Sequence, residues 1–185
     1  MVKTISLKWL QSKGACKESL EAWQKETDHN TFATLNRLVV KNPEWGNWLI
    51  CRIMNKNQSV QYAIFAAEQV IDIYEGKYPN DKRPRNAIEA AKVYLKNPSK
   101  KTKADAAAAA YAAAYAYAAA YSVYATADAA AYAYAAAYSV YATAYAATYA
   151  AADAANAAAD AAADAYERRK MKAKILKYGI GLLEL

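Results

Sequence analysis

Between Ala104 and Ala165, 38 of 62 residues are alanine, and neither glycine nor proline occurs from Ser99 to Tyr178. Alanine loses no side-chain entropy in a helix and competes with no backbone hydrogen bond, so it has the highest helix propensity. This stretch therefore predicts long helix and commits a third of the chain to an all-α fold. Within it, the segment YAYAAAYSVYATA occurs at Tyr115–Ala127 and again, unchanged, at Tyr132–Ala144. Copies 17 residues apart are turned by about 100° relative to each other on one ideal helix, so equivalent tyrosines would point in different directions. A break near Asp128–Ala131 would fold the copies into a hairpin and let the tyrosines meet. A tandem duplication along one straight helix is the alternative.

The tyrosines form a stripe. Tyr134, Tyr138, Tyr141, Tyr145 and Tyr149 follow at helical spacing, and Tyr117, Tyr121 and Tyr124 repeat it in the first copy. The second stripe continues through Asp153, Asn156, Asp160 and Asp164. Each tyrosine brings a large apolar ring and a hydroxyl that needs a partner, while alanine allows close approach. Such a face can pack as a seam between helices or subunits, or line a cleft for a planar ligand. Thr126, Thr143 and Thr148 do not make the flat array that ice binding needs.

The first half of the chain reads as short amphipathic helices. Leu7, Trp9 and Leu10 suggest one, Leu20 and Trp23 share a face of the next, and Leu35, Leu38 and Val39 mark a third, after Thr31. Asn42 and Pro43 form an N-cap and first helical residue before Trp45, Trp48, Leu49, Arg52 and Ile53. SVQYAIFAAEQVIDIYEGKYP predicts one longer helix, from a Ser59 cap to a stop at Gly76 and Pro79. Pro84 suits a first helical turn, and Pro98 ends that helix. NPSKKTKAD then predicts a basic hinge, which divides the chain into an N-terminal helical domain (1–98) and an Ala/Tyr-rich helical region with a basic C-terminal helix (99–185), packed as one unit. No run alternates with the period of a strand.

Charge follows the same division. The net charge is +7, yet Met1–Lys103 has 18 basic and 10 acidic residues, Ala104–Ala165 has five aspartates and no base, and Tyr166–Leu185 has six bases and two acids. The sharpest cluster is DKRPRN. Lys82, Arg83 and Arg85 crowd a helix N-terminus, where the helix dipole adds to their charge and arginine forks suit phosphate or carboxylate. Structural ion pairs with Asp81, Glu89 or an aspartate of the alanine region are the competing reading. KKTK at Lys100–Lys103 and ERRKMKAK at Glu167–Lys174 read as solvated faces or a C-terminal helix.

Catalytic patterns are scarce. His29 is the only histidine, in the loop-like TDHN, which rules out a histidine triad or a multi-histidine metal site within one chain. With five glycines there is no phosphate loop, and Asp153, Asp160 and Asp164 have neither nucleophile nor metal partner beside them. No enzyme activity, metal or cofactor is expected. Cys16 and Cys51 lack C-x-x-C spacing, and MVKTISLKWLQSKG lacks the apolar run of a signal peptide, so a cytoplasmic protein is expected. The alanine region is uncharged for 22 residues from Ala106, but its tyrosines, serine and threonine argue against a membrane span.

Three segments, ACKESLEAW, PEWGNWLI and AIFAAEQVIDIYEGKYPNDKRPRNAIEAAKVYL, together with the alanine-rich helical tail ending in a basic segment, carry a resemblance. The chain resembles a family of immunity proteins found beside bacterial polymorphic toxins and also in phage genomes. That resemblance implies an all-helical, non-enzymatic protein that protects by binding and sequestration, in the bacterial host cytoplasm if phage-encoded. Two targets follow. A small anionic nucleotide-type immune signal would use Lys82, Arg83 and Arg85 for phosphate, with Tyr117, Tyr121, Tyr124, Tyr134, Tyr138, Tyr141 and Tyr145 stacking on a base. The alternative target is a protein toxin; the basic balance of this chain counts against a basic nuclease toxin and leaves an acidic one open, so the small anionic signal fits the charges better and is the favoured target. A homo-oligomeric interaction module built on the tyrosine seam is a third reading. Nucleic acid is disfavoured, because the acidic alanine region would repel a phosphate backbone.

Overall fold

A computed structural model of the chain describes residues 4–69, 71–120 and 165–184. Those residues form an all-α fold of nine helices: α1 Leu7–Ser12, α2 Lys17–Gln24, α3 Thr31–Lys41, α4 Pro43–Ile53, α5 Lys56–Glu68, α6 Ile71–Lys77, α7 Arg83–Lys96, α8 Lys100–Ala120 and α9 Ala165–Glu184. The sole extended pairing among them is an isolated antiparallel bridge, Thr4 to Asn30.

Short side chains with oxygen acceptors set the helix starts. Asn30 caps α3 by accepting from Phe32 N and Ala33 N, and Thr31 is the first residue of the helix. Asn42 caps α4 by accepting from Trp45 N, with Pro43 opening the helix, as its sequence predicts. The helix predicted from Ser59 to Gly76 is instead two. It begins earlier, at a reciprocal capping box in which Asn55 and Gln58 satisfy each other's backbone N–H. It ends at Glu68, with the Gln69 N–H turning back to the carbonyls of Ala66 and Ala67. Ser59 is buried inside the first turn and bonds the Asn55 carbonyl.

The predicted basic hinge is also narrower than expected. Helix α7 stops at Lys96, and Ser99 and Thr102 exchange backbone-to-side-chain hydrogen bonds at 3.0 and 3.1 Å that start α8 at Lys100. Lys100–Lys103 are thus the first turn of a helix. That helix folds back along α7, burying Thr102 and Ala106. The predicted Ala/Tyr helix is present from Lys100 to Ala120; the proposed break at Asp128–Ala131 lies outside the described residues.

Helices α4, α5 and α9 enclose the centre of the core, with α3 and α7 packed around them. Leu35, Ile50, Val60, Tyr62, Ile88, Ile175 and Leu176 are each fully buried. Burial of an aliphatic side chain of this size contributes about 1.5–3 kcal/mol. The basic C-terminal segment, expected to be a solvated face or a terminal helix, is a helix whose second half is core. Its approach is close because two glycines permit it. A Cβ on Gly46 would collide with Leu176, and one on Gly179 would lie 2.5 Å from a Tyr62 ring carbon. Lys172, almost fully buried, pairs with Glu44, and Arg169 donates to the Val40 carbonyl, so both cations tie α9 to the α3–α4 corner.

Candidate functional site

The cluster singled out by sequence sits where α6 runs into α7. Arg83 holds Asp81 at two points, Nε to Oδ1 at 2.9 Å and Nη2 to Oδ2 at 2.6 Å, and its backbone N–H reaches Oδ1 at 3.1 Å. The hydroxyl of the buried Tyr74 donates to the same carboxylate at 2.7 Å. Arg85 grips Glu75 through Nε and Nη2 and lies 3.3 Å from Asp72. Lys82 is 3.6 Å from Glu75. All three cations therefore face carboxylates of their own chain. Arg83 takes the Asp81 partner that the ion-pair reading named; Arg85 takes Glu75 and Asp72, which that reading did not name.

These contacts shift the titrations. The Arg83 hydrogen bond, outweighing burial, holds Asp81 well below the usual carboxylate range. The Arg85 hydrogen bond likewise lowers the Glu75 carboxyl. Burial first, and then the bond to Asp81, pushes the Tyr74 hydroxyl up. Each shift favours the paired state, which is what a fastening between two helices requires.

The phenolic half of the expected site is placed differently. Tyr117 lies on α8, while Tyr121, Tyr124, Tyr134, Tyr138, Tyr141 and Tyr145 lie outside the described residues, as do Tyr149, Asp153, Asp160 and Asp164. The structure brings Lys82, Arg83 and Arg85 together, with acids between them.

A second feature was not read from sequence. Helix α2 has an apolar face, including Leu20 and Trp23, but no residue of it is buried. Between that face and the α3–α4 corner lies a cleft of about 370 Å³. Its floor is Ile5, Leu10, Leu38 and Leu49, and Trp23, Trp45 and Trp48 stand around it. That volume is within the range of ligand and anchor-residue pockets, roughly 300–1,000 Å³. The polar lining is matched internally. Glu26 is bridged by Arg37 at 3.3 Å and by Lys41 at 3.2 Å, and Glu44 meets Lys172.

The tryptophans are held in place. Arg52 stacks on Trp48 with Cζ 3.9 Å from the ring centroid and donates to the Trp48 carbonyl at 2.8 Å. His29, in the loop that sequence assigns it, stacks on Trp23 at 3.8 Å and meets the Trp23 carbonyl through Nε2 at 3.2 Å. Its role is to brace the cleft wall. The Trp23 indole Nε1–H is buried without a hydrogen-bond partner. Exposed Cys16 lies in the lining, while Cys51 is buried in the core. A signal was available in sequence: three tryptophans fall within 26 residues among charged neighbours, and tryptophan and arginine are enriched at binding hot spots.

Among the described residues no group of acids, histidines or cysteines is arranged to hold a metal ion, and no helix is long and apolar enough to cross a membrane. Residues 49–175 match the family described as "Imm-5 like putative immunity protein". The chain belongs to this immunity-protein family. The match runs from Leu49 on α4 to Ile175 on α9, and so takes in the α6–α7 fastening. The lining of the tryptophan cleft lies at residues 5–49, and so precedes the match in all but Leu49. No curated protein and no solved structure matches the chain.

Proposed function

We propose that this immunity-family protein acts without catalysis, by binding a protein toxin and blocking it. The observation that carries the reading over a small anionic target is the pairing of the DKRPRN cations. Lys82, Arg83 and Arg85 each face a carboxylate of their own chain, and two of these contacts are two-point arginine grips. A nucleotide-type signal would have to displace Asp81 and Glu75, each held by a charge-assisted bond, before its phosphates could bind there. A protein target needs no such exchange. It can instead use an apolar cleft, and one lies between α2 and the α3–α4 corner.

Co-expression tests this. The chain is expected to restore growth to cells expressing its cognate toxin, and to form a stoichiometric complex with that toxin in vitro. Absence of both, with calorimetric heat on titration of cyclic or ADP-ribose-type nucleotides, would overturn the reading in favour of signal sequestration.

A further inference from the structure

We infer that α6 is an ionic latch. Held shut by its ion pairs to the start of α7, it opens as a unit while the rest of the fold stays closed. Release of Arg85 and Lys82 from their internal acids is then conditional on that opening. The device does not depend on which target the protein binds.

Helix α6 has little intrinsic stability. It spans seven residues, Ile71–Lys77, and isolated helices below roughly 12–15 residues are marginal in water. Nor does it extend its neighbour, because α5 closes at Glu68, where the Gln69 N–H turns back to the Ala66 and Ala67 carbonyls. Two of its side chains, Ile71 and Tyr74, are buried. The core through α4, α5 and α9 holds many more, among them Leu49, Ile50, Val60, Tyr62, Ile175 and Leu176. Opening α6 gives up the burial of Ile71 and Tyr74, whereas unfolding the chain gives up that of the whole core.

Ionic contacts hold α6 shut. Glu75 takes the two-point grip of Arg85 and lies 3.6 Å from Lys82, and Asp72 lies 3.3 Å from Arg85. The Tyr74 hydroxyl adds a bond to Asp81, in the turn between the helices. Arg83 clasps Asp81 through its side chain and its backbone N–H, so Asp81 stays with α7 when α6 lifts. Glu75 and Asp72 leave with α6. Opening therefore releases Arg85 and Lys82 and keeps Arg83 closed on Asp81. Partly exposed ion pairs yield to competing charge and to salt, and apolar packing does not. A charged partner thus acts on α6 before it acts on the core.

Residue-resolved hydrogen exchange of the full chain at low urea concentrations tests this. The amides of Gly76, Lys77 and Tyr78 are expected to exchange about tenfold or more faster than those of Ala63, Ile64 and Phe65 on α5, after correction for intrinsic rates, and with a weaker dependence on urea. Glu75→Gln should speed the α6 amides about threefold or more. Tyr62→Phe, which deletes a hydrogen bond within the core, should speed the α5 amides by a similar factor and leave those of α6 unchanged. Exchange of the α6 amides at the rate and urea dependence of the α5 amides overturns the inference, because α6 then opens only with the whole chain. Fast α6 exchange that Glu75→Gln leaves unchanged overturns it too, because the ion pairs then hold nothing shut.

Discussion

Arg85 lays its guanidinium along the Glu75 carboxylate, Nε to Oε1 at 3.1 Å and Nη2 to Oε2 at 2.6 Å, and so fastens the end of α6 to the start of α7. Arginine is matched to carboxylate geometry in just this way, and the pair is mostly shielded from water. Its removal therefore has a structural consequence. Glu75→Gln is expected to lower stability by about 1–2 kcal/mol, because it replaces the two-point ionic grip with a neutral amide and leaves Arg85 only the exposed Asp72 carboxylate. Urea denaturation of the two proteins measures the difference. An unchanged midpoint would show that the pair fastens nothing.

The same fastening sets an acid limit. Glu75 and Asp81 have carboxyls depressed below their unfolded values, first by Arg85 and Arg83 respectively. A depressed carboxylate contributes stability above its unfolded pKa, near 4, and loses it as pH falls through its folded value. Stability is thus expected to be flat from about pH 7 to 5 and to decline below that. Denaturation midpoints between pH 7 and 3 should show the decline, and a Glu75→Gln, Asp81→Asn double variant should show a shallower one.

Two glycines on α9 should respond in opposite directions. A Cβ on Gly179 would meet two Tyr62 ring carbons at 2.5 and 2.8 Å and Ile50 Cδ1 at 2.9 Å, all in the core. Gly179→Ala is expected to cost about 1–3 kcal/mol through overpacking. Gly181 has nothing within 4 Å, is exposed and lies within the helix, so Gly181→Ala should gain up to about 1 kcal/mol of helix propensity. Thermal melts of the pair report both signs in one experiment.

At the centre of the core, the fully buried Tyr62 hydroxyl donates to Asn47 Oδ1 on α4. Burial pushes that hydroxyl well up in pKa, so it remains a donor throughout the working range. Tyr62→Phe keeps the ring and deletes the donor, removing one buried hydrogen bond between α5 and α4. A loss of about 1–3 kcal/mol is expected, and chemical denaturation measures it. A change below a few tenths of a kcal/mol would mean that the amide oxygen is satisfied in another way.

The sequence by itself determined the all-α class, the family resemblance and those helix ends that are written in local chemistry. Asn42 with Pro43, Pro84, and Pro98 act within one turn of themselves, so a cap or a missing N–H can be read from neighbouring letters. The split between α5 and α6 escaped because an unbroken apolar run conceals where backbone hydrogen bonding lapses. The reciprocal Asn55–Gln58 box is a local signal as well, and it sets the cap four residues before Ser59. Only the tertiary structure decided that α9 enters the core, that the DKRPRN cations face internal acids, and that Trp23, Trp45 and Trp48 border a space instead of filling one. The reason is physical. Helical periodicity fixes which side chains share a face, but whether that face is covered, and by which charges, depends on residues a hundred or more positions away, such as Lys172 on Glu44 and Leu176 against Gly46.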